Sequence, residues 1–149
     1  MLWAALAAFV HFLAFFVLTT ALALQLGLLS DSISVATARR IQRADRIAGL
    51  AAMLVLIFGF LRVFYFEKGA DYYFDNNFFL IKLALFIVAA LISIYPTVCY
   101  ARWSPELKQD IAPEISAPVL GKIRRIIHYE LIGILGILIC ASLMAKGFG

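Results

Sequence analysis

Four long apolar blocks, separated by short polar connections, are the feature of this sequence that most limits its fold. Each block runs for about 20 residues or more, the length that an α-helix needs to cross the hydrocarbon core of a bilayer. None alternates apolar and polar residues in the manner of a strand from an outer-membrane barrel. The sequence therefore predicts an all-α protein, an integral membrane bundle of four transmembrane helices that forms a single domain over residues 1–149, with helices at about residues 2–29, 47–66, 78–100 and 123–144.

The composition excludes a soluble globular protein. Hydrophobic residues make up 64% of the chain and charged residues 15%, and the mean hydropathy is +0.98, whereas soluble domains are roughly half apolar and about a quarter charged. The 149 residues suffice for three or four spanning helices with short connections. We therefore expect no extramembrane domain, and we expect the lipid bilayer to be a principal partner of the chain.

Basic residues are concentrated on one side of the predicted bundle. Most of the thirteen Lys and Arg residues lie in the first and third connections, and the positive-inside rule places such connections in the cytoplasm. We therefore expect both termini outside, in the periplasm, and a location in the inner membrane of a bacterium. This orientation signal also accounts for the formal net charge of +4, so nucleic acid is not an expected partner. The basic residues concerned are Arg39, Arg40, Arg43, Arg46, Arg102, Lys108, Lys122, Arg124 and Arg125.

The third connection carries a signal for a short surface helix. Ser104 before Pro105 resembles an N-cap followed by a proline at the first helical position, so we expect a helix from Ser104 to about Ile111. Pro113 and Pro118 are expected to end it, because a proline lacks the N–H group that a helix interior needs.

The two cysteines, Cys99 and Cys140, are predicted to be free thiols. Cys99 lies near the inner end of the third predicted helix and Cys140 in the outer part of the fourth. At about 1.5 Å per residue, their depths differ by roughly 15 to 20 Å, well beyond the Cα separation of about 7 Å that a disulfide allows. The chain has no CxxC motif and no Met-rich or His-rich run, which disfavours copper handling.

Four ionisable residues fall inside the predicted spans and are good candidates for function: His11, Arg62, Lys82 and Glu130. An ionisable group in the hydrocarbon is costly, which makes each a candidate functional residue. For His11, whose neighbours on the same helix face are alanines, three roles remain open: packing or hydrogen bonding, ligation of a haem iron, and relay of protons. Bis-histidine ligation of one haem is not expected, because the other histidine, His128, lies at a different depth.

Cationic side chains are expected to gather near the outer end of the bundle. Arg62 lies in the last outer turns of the second helix, and Lys82 about one turn inside the third. Snorkelling of these long side chains to the lipid surface would account for both positions. Together with His11 and a tyrosine-rich loop, they could instead wall a pocket for a hydrophobic ligand that carries carboxylates, such as the propionates of a tetrapyrrole. The loop residues concerned are Lys68, Tyr72 and Tyr73.

Glu130 lies about two turns into the fourth helix from the cytoplasmic side, on the face that carries Gly133, Ile137 and Ala141. Such a face is typical of a bundle interior. We therefore expect Glu130 to have a partner, either a cation on a neighbouring helix or its own proton.

Small residues in the second and fourth helices predict where the helices touch. Close backbone approach at such residues replaces the hydrophobic force that is missing in lipid. The predicted contact residues are Ala48, Gly49, Ala52, Gly59, Gly133, Gly136 and Ala141. A homo-oligomer is compatible with this pattern, and the oligomeric state does not follow from it.

The segment Gly59–Tyr73 (GFLRVFYFEKGADYY), followed by Phe79, Lys82 and the segment Ser93–Thr97 (SIYPT), closely resembles an uncharacterised family of small bacterial four-helix membrane proteins. The resemblance extends over the whole chain. It implies the four-helix architecture and carries no activity.

More remotely, the layout is similar to that of the HemJ-type protoporphyrinogen oxidases and the CopD-like membrane proteins. HemJ-type proteins are four-helix enzymes that hold haem b and pass electrons towards quinone or the respiratory chain. These enzymes have a histidine in the first helix, one or more arginines at the start of the second, and a lysine near the start of the third. At the fourth helix they have an arginine followed by a glutamate. The matching residues here are His11, Arg43, Arg46, Lys82, Arg125 and Glu130. The Trp and Gly that follow the histidine in that family are replaced by Phe15, Phe16 and Val17, and the Asn and Pro that flank its glutamate by Tyr129, Leu131 and Ile132.

The resemblance implies a haem b-binding redox protein of the inner membrane, a HemJ-like oxidoreductase that passes electrons to quinone or to a respiratory-chain partner. His11 would be the axial ligand of the iron, and Lys82 the second ligand or a nearby catalytic group. Glu130 would be a further catalytic group. The other residues facing the cofactor would be Arg62, Lys68 and Tyr72.

Two other classes of function remain open. One is a transport subunit in which His11, Lys82 and Glu130 form a path for protons or ions. The other is an assembly or structural membrane protein that binds no cofactor and whose charged residues pair between helices. Neither a substrate nor an electron partner follows from the residues themselves.

Overall fold

The computed structural model describes residues 1–148, which are helical apart from short connections. Four of its helical segments are long and apolar enough to cross a membrane, which confirms the predicted all-α class and the four-helix membrane bundle. A single π-helical turn, Arg62–Phe66, continues the second long helix. The α-helices of the described residues are α1 Leu2–Leu28, α2 Val35–Leu61, α3 Ala70–Phe74, α4 Asn77–Ala101, α5 Ser104–Lys108 and α6 Ala117–Ala145.

α2 begins well before the apolar block that predicted it. It starts at Val35 rather than near residue 47 because Ser34 caps it, the Ser34 hydroxyl accepting a hydrogen bond from the Thr37 N–H at 3.2 Å. The first turns carry exposed arginines on one face and buried alanines on the other. The helix therefore extends beyond the apolar zone as an amphipathic segment.

α6 also begins early, at Ala117, and Pro118 lies in its first turn. The sequence predicts that Pro118, with Pro113, ends the surface helix that begins at Ser104; that helix ends at Lys108, before either proline, and Pro118 instead lies at the start of α6. The first N–H groups of a helix have no intrahelical partner, so a proline can start a helix at this position. The predicted surface helix is present as α5, which has Ser104 as its first residue instead of its cap and ends at Lys108 rather than near Ile111.

The four long helices pack mainly as two antiparallel pairs, α1 with α2 and α4 with α6. Small buried side chains let the α1 and α2 backbones approach closely, as is typical of helices in lipid. Large apolar side chains on the outer faces remain exposed, which suits contact with lipid tails. The buried alanines of this pair are Ala7, Ala14 and Ala21 on α1 and Ala38, Ala44, Ala48 and Ala51 on α2.

The two ends of the bundle carry different parts of the chain. The terminus end is the end at which α1 begins and α6 finishes, and the basic end is the opposite one, which carries the arginine-rich connections. At the basic end, Nε2 of Gln42 donates to the Tyr100 carbonyl at 2.6 Å, and Arg39 Nη2 lies 2.6 Å from Asp110 Oδ1. These contacts tie α2 to the end of α4 and to the connection that follows.

The predicted small contact residues divide into two groups. A Cβ added at Gly136 would lie 3.0 Å from Leu85 Cδ1, so this glycine allows α4 and α6 to approach. Gly49 and Gly133 have no neighbouring atom within 4 Å of such a Cβ and are not contact points. Both cysteines are free thiols, as predicted.

Candidate functional site

A pocket with charged and aromatic walls lies near the terminus end, between α1, α2, α4 and α6. We call it the His11 pocket, and its volume is about 180 Å³. Most of its wall is apolar, and its ionisable groups are His11, Arg62, Glu67, Tyr73 and Lys82. The structure thus brings together three residues that the sequence singled out on three different helices.

Phenylalanine rings form much of the apolar wall of the His11 pocket. Phe79 is buried, and its ring centroid lies 5.3 Å from that of Tyr73. Such walls suit a flat, apolar ligand and lower the local dielectric, so each polar group among them interacts more strongly than it would in water. The rings concerned are Phe12, Phe15, Phe60, Phe79 and Phe86.

His11 is held by the backbone of α2. Its Nδ1 lies 2.9 Å from the carbonyl oxygen of Val55, and because a carbonyl only accepts, Nδ1 donates in this contact. The Nε2 lone pair of the neutral ring is then left free for another partner. One turn further along α2, a Cβ at Gly59 would lie 3.2 Å from His11 Cε1, so the glycine provides the space in which the ring sits.

Arg62 is paired with an acidic residue of the same segment. Its Nη2 and Nε donate to Oε1 of Glu67 at 2.7 and 3.2 Å. The π-helical turn, with hydrogen bonds from residue i to i+5, aligns these two residues on one side of the chain. The guanidinium also lies 5.0 Å from the centroid of the Phe12 ring. The charge of Arg62 is therefore balanced within the pocket wall.

Lys82, on α4, is a second basic residue of the pocket, but no carboxylate of the described residues is paired with it. Its Nζ lies 5.0 Å from the Phe79 ring centroid, a favourable cation–π distance. The ion pairs formed within residues 1–148 do not include it. Lys82 therefore supplies the unneutralised positive charge of the His11 pocket.

The structure places Lys68 and Tyr72 outside the lining of the His11 pocket. Lys68 Nζ donates to the Tyr72 hydroxyl at 3.2 Å and lies 4.3 Å from the Tyr72 ring centroid, both residues being exposed. The neighbouring Tyr73 faces the pocket instead, because successive residues of the short helix α3 point in different directions. Burial, and then the nearby Glu67 carboxylate, raise the pKa of the Tyr73 hydroxyl.

Glu130 does not reach the His11 pocket. It lines a second, smaller space of about 70 Å³ between α1, α2, α4 and α6, which we call the Glu130 cavity. Asp45, Ser93 and Thr97 line the same cavity. Asp45 is not among the candidates that the sequence indicates, because the residue lies among the arginines at the start of α2 and outside the predicted span. The early start of α2 is the signal that would have placed it in the bundle.

The described residues hold few groups that could bind a metal ion without a cofactor. Within residues 1–148 there is no cluster of three or more His, Cys, Asp and Glu side chains suited to a metal ion. A haem iron requires only one or two axial ligands from the protein. The nitrogen donors of the His11 pocket, His11 and Lys82, match that requirement in number and type.

One protein family matches the chain, and its profile covers residues 3–149. Its description is "predicted membrane protein (DUF2214)". No curated protein and no solved structure matches the chain.

Proposed function

Because the chain belongs to this family of predicted membrane proteins, whose description states no activity, we propose its function from the site: the His11 pocket binds haem b, and the protein is a membrane redox protein. The observation that carries the proposal is the contact of His11 Nδ1 with the Val55 carbonyl at 2.9 Å. Histidines that ligate metals usually donate their other ring N–H to such a group, which orients the ring and selects the tautomer.

The residues of the pocket suit this cofactor in their chemistry. His11 offers a free Nε2, and the aromatic walls suit a planar macrocycle. The volume of about 180 Å³ is below the roughly 300 to 1,000 Å³ of typical small-molecule pockets. Binding of a porphyrin therefore requires rings of the wall, such as the exposed Phe12, to move outward towards lipid.

The side chains around His11 have distinct roles in this proposal. Lys82 would be the second ligand or a polar neighbour, and as a ligand it would have to lose its proton, since a metal ligand donates a lone pair. Arg62 would bind a propionate in place of Glu67, because a guanidinium binds either carboxylate in the same way. Lys68 and Tyr72, which are exposed and lie outside the pocket lining, would meet only the part of the cofactor nearest water. Bound haem would supply one-electron redox chemistry.

The electron partner in this proposal is the quinone pool or a respiratory-chain protein. The His11 pocket lies near one end of the bundle, so a haem held there would be accessible to either partner. The basic end lies in the cytoplasm by the positive-inside rule, so the His11 pocket would lie near the periplasmic face of a bacterial inner membrane.

The test is the visible spectrum of the detergent-purified protein, oxidised and dithionite-reduced, after expression with a haem precursor. We expect a Soret band that is lost in His11→Ala. The matched control is His128→Ala, because Nδ1 of His128 also bonds to a backbone carbonyl, that of Arg124 at 2.7 Å, but at an exposed position on α6. A flat spectrum from folded wild-type protein, or equal spectra for the two variants, would contradict the proposal.

A second candidate is a quinone site without haem, and the pocket volume of about 180 Å³ favours it. A single-ring head group needs less room than a porphyrin. Lys82 would donate to a quinone oxygen, and the free Nε2 of His11 would accept the proton of a quinol hydroxyl. Binding of a decyl-quinone should weaken several-fold in Lys82→Met and stay unchanged in Lys122→Met, whose lysine lies over the Tyr95 ring on α4. Equal binding by both variants would exclude this candidate.

A further inference from the structure

The Glu130 cavity has a polar wall to which three helices contribute. Asp45 comes from α2, Ser93 and Thr97 from α4, and Glu130 from α6. Thr97 Oγ1 donates to Asp45 Oδ1 at 3.0 Å, and Ser93 and Glu130 line the same space. The rest of the wall is apolar. Four oxygen-bearing side chains therefore face one small space inside the bundle.

Neither carboxyl group of this cavity has a basic partner within ion-pair distance. Glu130 is only 5% exposed, and the ion pairs found within residues 1–148 involve other carboxylates. A buried carboxylate without a counter-charge is costly in a low-dielectric interior. The negative charge of Glu130 and Asp45 therefore needs a cation or a proton. The ion pairs that exist are Arg39–Asp110, Arg62–Glu67 and Arg124–Asp31.

One further buried polar group near the basic end is unpartnered among the described residues. The Tyr100 hydroxyl forms no hydrogen bond with residues 1–148, and the residue is 1% exposed. Tyr100 does not line the Glu130 cavity, so its hydroxyl is not among the groups that face this space.

The donor set narrows the choice of guest. Carboxylate and hydroxyl oxygens favour hard cations over soft metals. Four side chains supply fewer ligands than the six to eight oxygens of a typical Ca²⁺ site. We propose that the Glu130 cavity binds a small hard monovalent cation, sodium, through the carboxylates of Glu130 and Asp45 and the hydroxyls of Ser93 and Thr97.

The cation enters from the side of the basic end. Asp45 and Thr97 are more exposed than Glu130, and Thr97 lies close to the last residue of α4, Ala101. Asp45 and Thr97 therefore form the entrance, and Glu130 lies at the closed end. This site uses none of the residues proposed above to hold haem and does not depend on that proposal.

Thermal unfolding of the full chain in lipid nanodiscs tests this proposal. Unfolding is compared in NaCl and in choline chloride at equal ionic strength. Binding to the folded state alone raises the unfolding temperature, here by about 2 to 6 °C. We expect this rise to vanish in Glu130→Gln and Asp45→Asn and to persist in the control Glu114→Gln, whose glutamate lies in the exposed connection before α6. Glu130→Gln removes an unpaired charge, so its folding is not expected to suffer. Ser93→Ala, which keeps both charges, should reduce the sodium effect several-fold.

Infrared difference spectra in H₂O and D₂O show whether Glu130 is neutralised by its own proton instead. A buried protonated carboxyl gives a carbonyl band that shifts on deuteration, and in NaCl we expect no such band from Glu130. A sodium-specific rise that depends on Glu130 and Asp45 supports the proposal. No sodium effect in folded protein would overturn it, and a deuteration-sensitive band that is lost in Glu130→Gln and kept in Glu114→Gln would then identify the proton as the group that neutralises Glu130. Neither result depends on the haem spectrum.

Discussion

Phe86 on α4 and Ile137 on α6 both line the His11 pocket and both line the Glu130 cavity. The two polar regions therefore meet at an apolar partition inside the bundle. On one side of it lie His11 and Lys82, and on the other lies Glu130. Phe86 and Ile137 are thus wall residues of both spaces.

Truncating the partition should join the two spaces. For Phe86→Ala we expect the free energy of unfolding to fall by about 1 to 3 kcal/mol, less than for a fully buried ring, because Phe86 is only partly buried. Proteoliposomes containing this variant should also leak protons faster than wild type. The control Phe16→Ala removes a ring from the exposed face of α1 and should change stability by less than about 0.5 kcal/mol. Equal effects of the two variants would argue against a partition at Phe86.

Gly59 should be needed for the position of His11. In Gly59→Ala the new Cβ would lie 3.2 Å from His11 Cε1, so the ring must shift and its bond to Val55 must weaken, at a cost of about 1 kcal/mol. The matched control is Gly49→Ala on the same helix, where no atom lies within 4 Å of the new Cβ. There we expect a gain of about 0.5 to 1 kcal/mol from the better helix propensity of alanine. Denaturant unfolding in detergent measures both, and a stabilised Gly59→Ala variant would show that the ring is not constrained there.

Removing the carboxylate that holds Arg62 should make the guanidinium available to a ligand. We expect Glu67→Gln to bind protoporphyrin several-fold more tightly, because the propionates no longer compete with Glu67. Binding of the dimethyl ester, which lacks both charges, should not change. The control is Asp71→Asn. This substitution also removes a negative charge, but Asp71 lies on the nearby α3 and is not part of the Arg62–Glu67 pair. A parallel gain for the ester would point to a change in pocket shape instead of charge.

The half-buried ion pair itself should contribute little to stability. The Arg62 and Glu67 side chains are 23% and 35% exposed. Solvent screening reduces the contribution of such partly exposed ion pairs to the free energy of unfolding to about 1 kcal/mol or less. In Glu67→Gln the free energy of unfolding, measured by denaturant unfolding in detergent, should therefore lie within about 1 kcal/mol of the wild-type value. A larger loss would assign the pair a structural role in the π-helical turn.

Tyr73 should ionise late in the folded protein. Burial and the neighbouring Glu67 carboxylate raise its pKa above the ordinary value of 10.0, so the phenolate absorbance that disappears in Tyr73→Phe should develop only above that pH. Glu67→Gln removes the repulsion and should move this transition to lower pH. Because the unfolded chain loses the proton first, the contribution of Tyr73 to stability is complete below about pH 10 and declines as the pH rises further. A transition at or below pH 10 would contradict the burial of this hydroxyl.

Part of the site could be anticipated from depth along the helices. A rise of about 1.5 Å per residue fixes the height of each side chain in a span, and that height alone places His11, Arg62 and Lys82 near the same end. The pairing of Arg62 with Glu67 could not be foreseen, because it depends on a π-helical turn that nothing in the apolar pattern signals. Tyr73 could not be separated from Tyr72 in the same way, because the orientation of α3 is set by its contacts.

The four spans and the class of fold follow from the sequence because each apolar block is long enough to satisfy its backbone hydrogen bonds within one helix, whatever its neighbours are. Side-chain partners do not follow in this way. Asp45 and Thr97 share a cavity with Glu130 only because α2 extends past its apolar block and because α4 and α6 are rotated to face it. Those rotations result from packing among all four helices, which no local stretch of sequence contains.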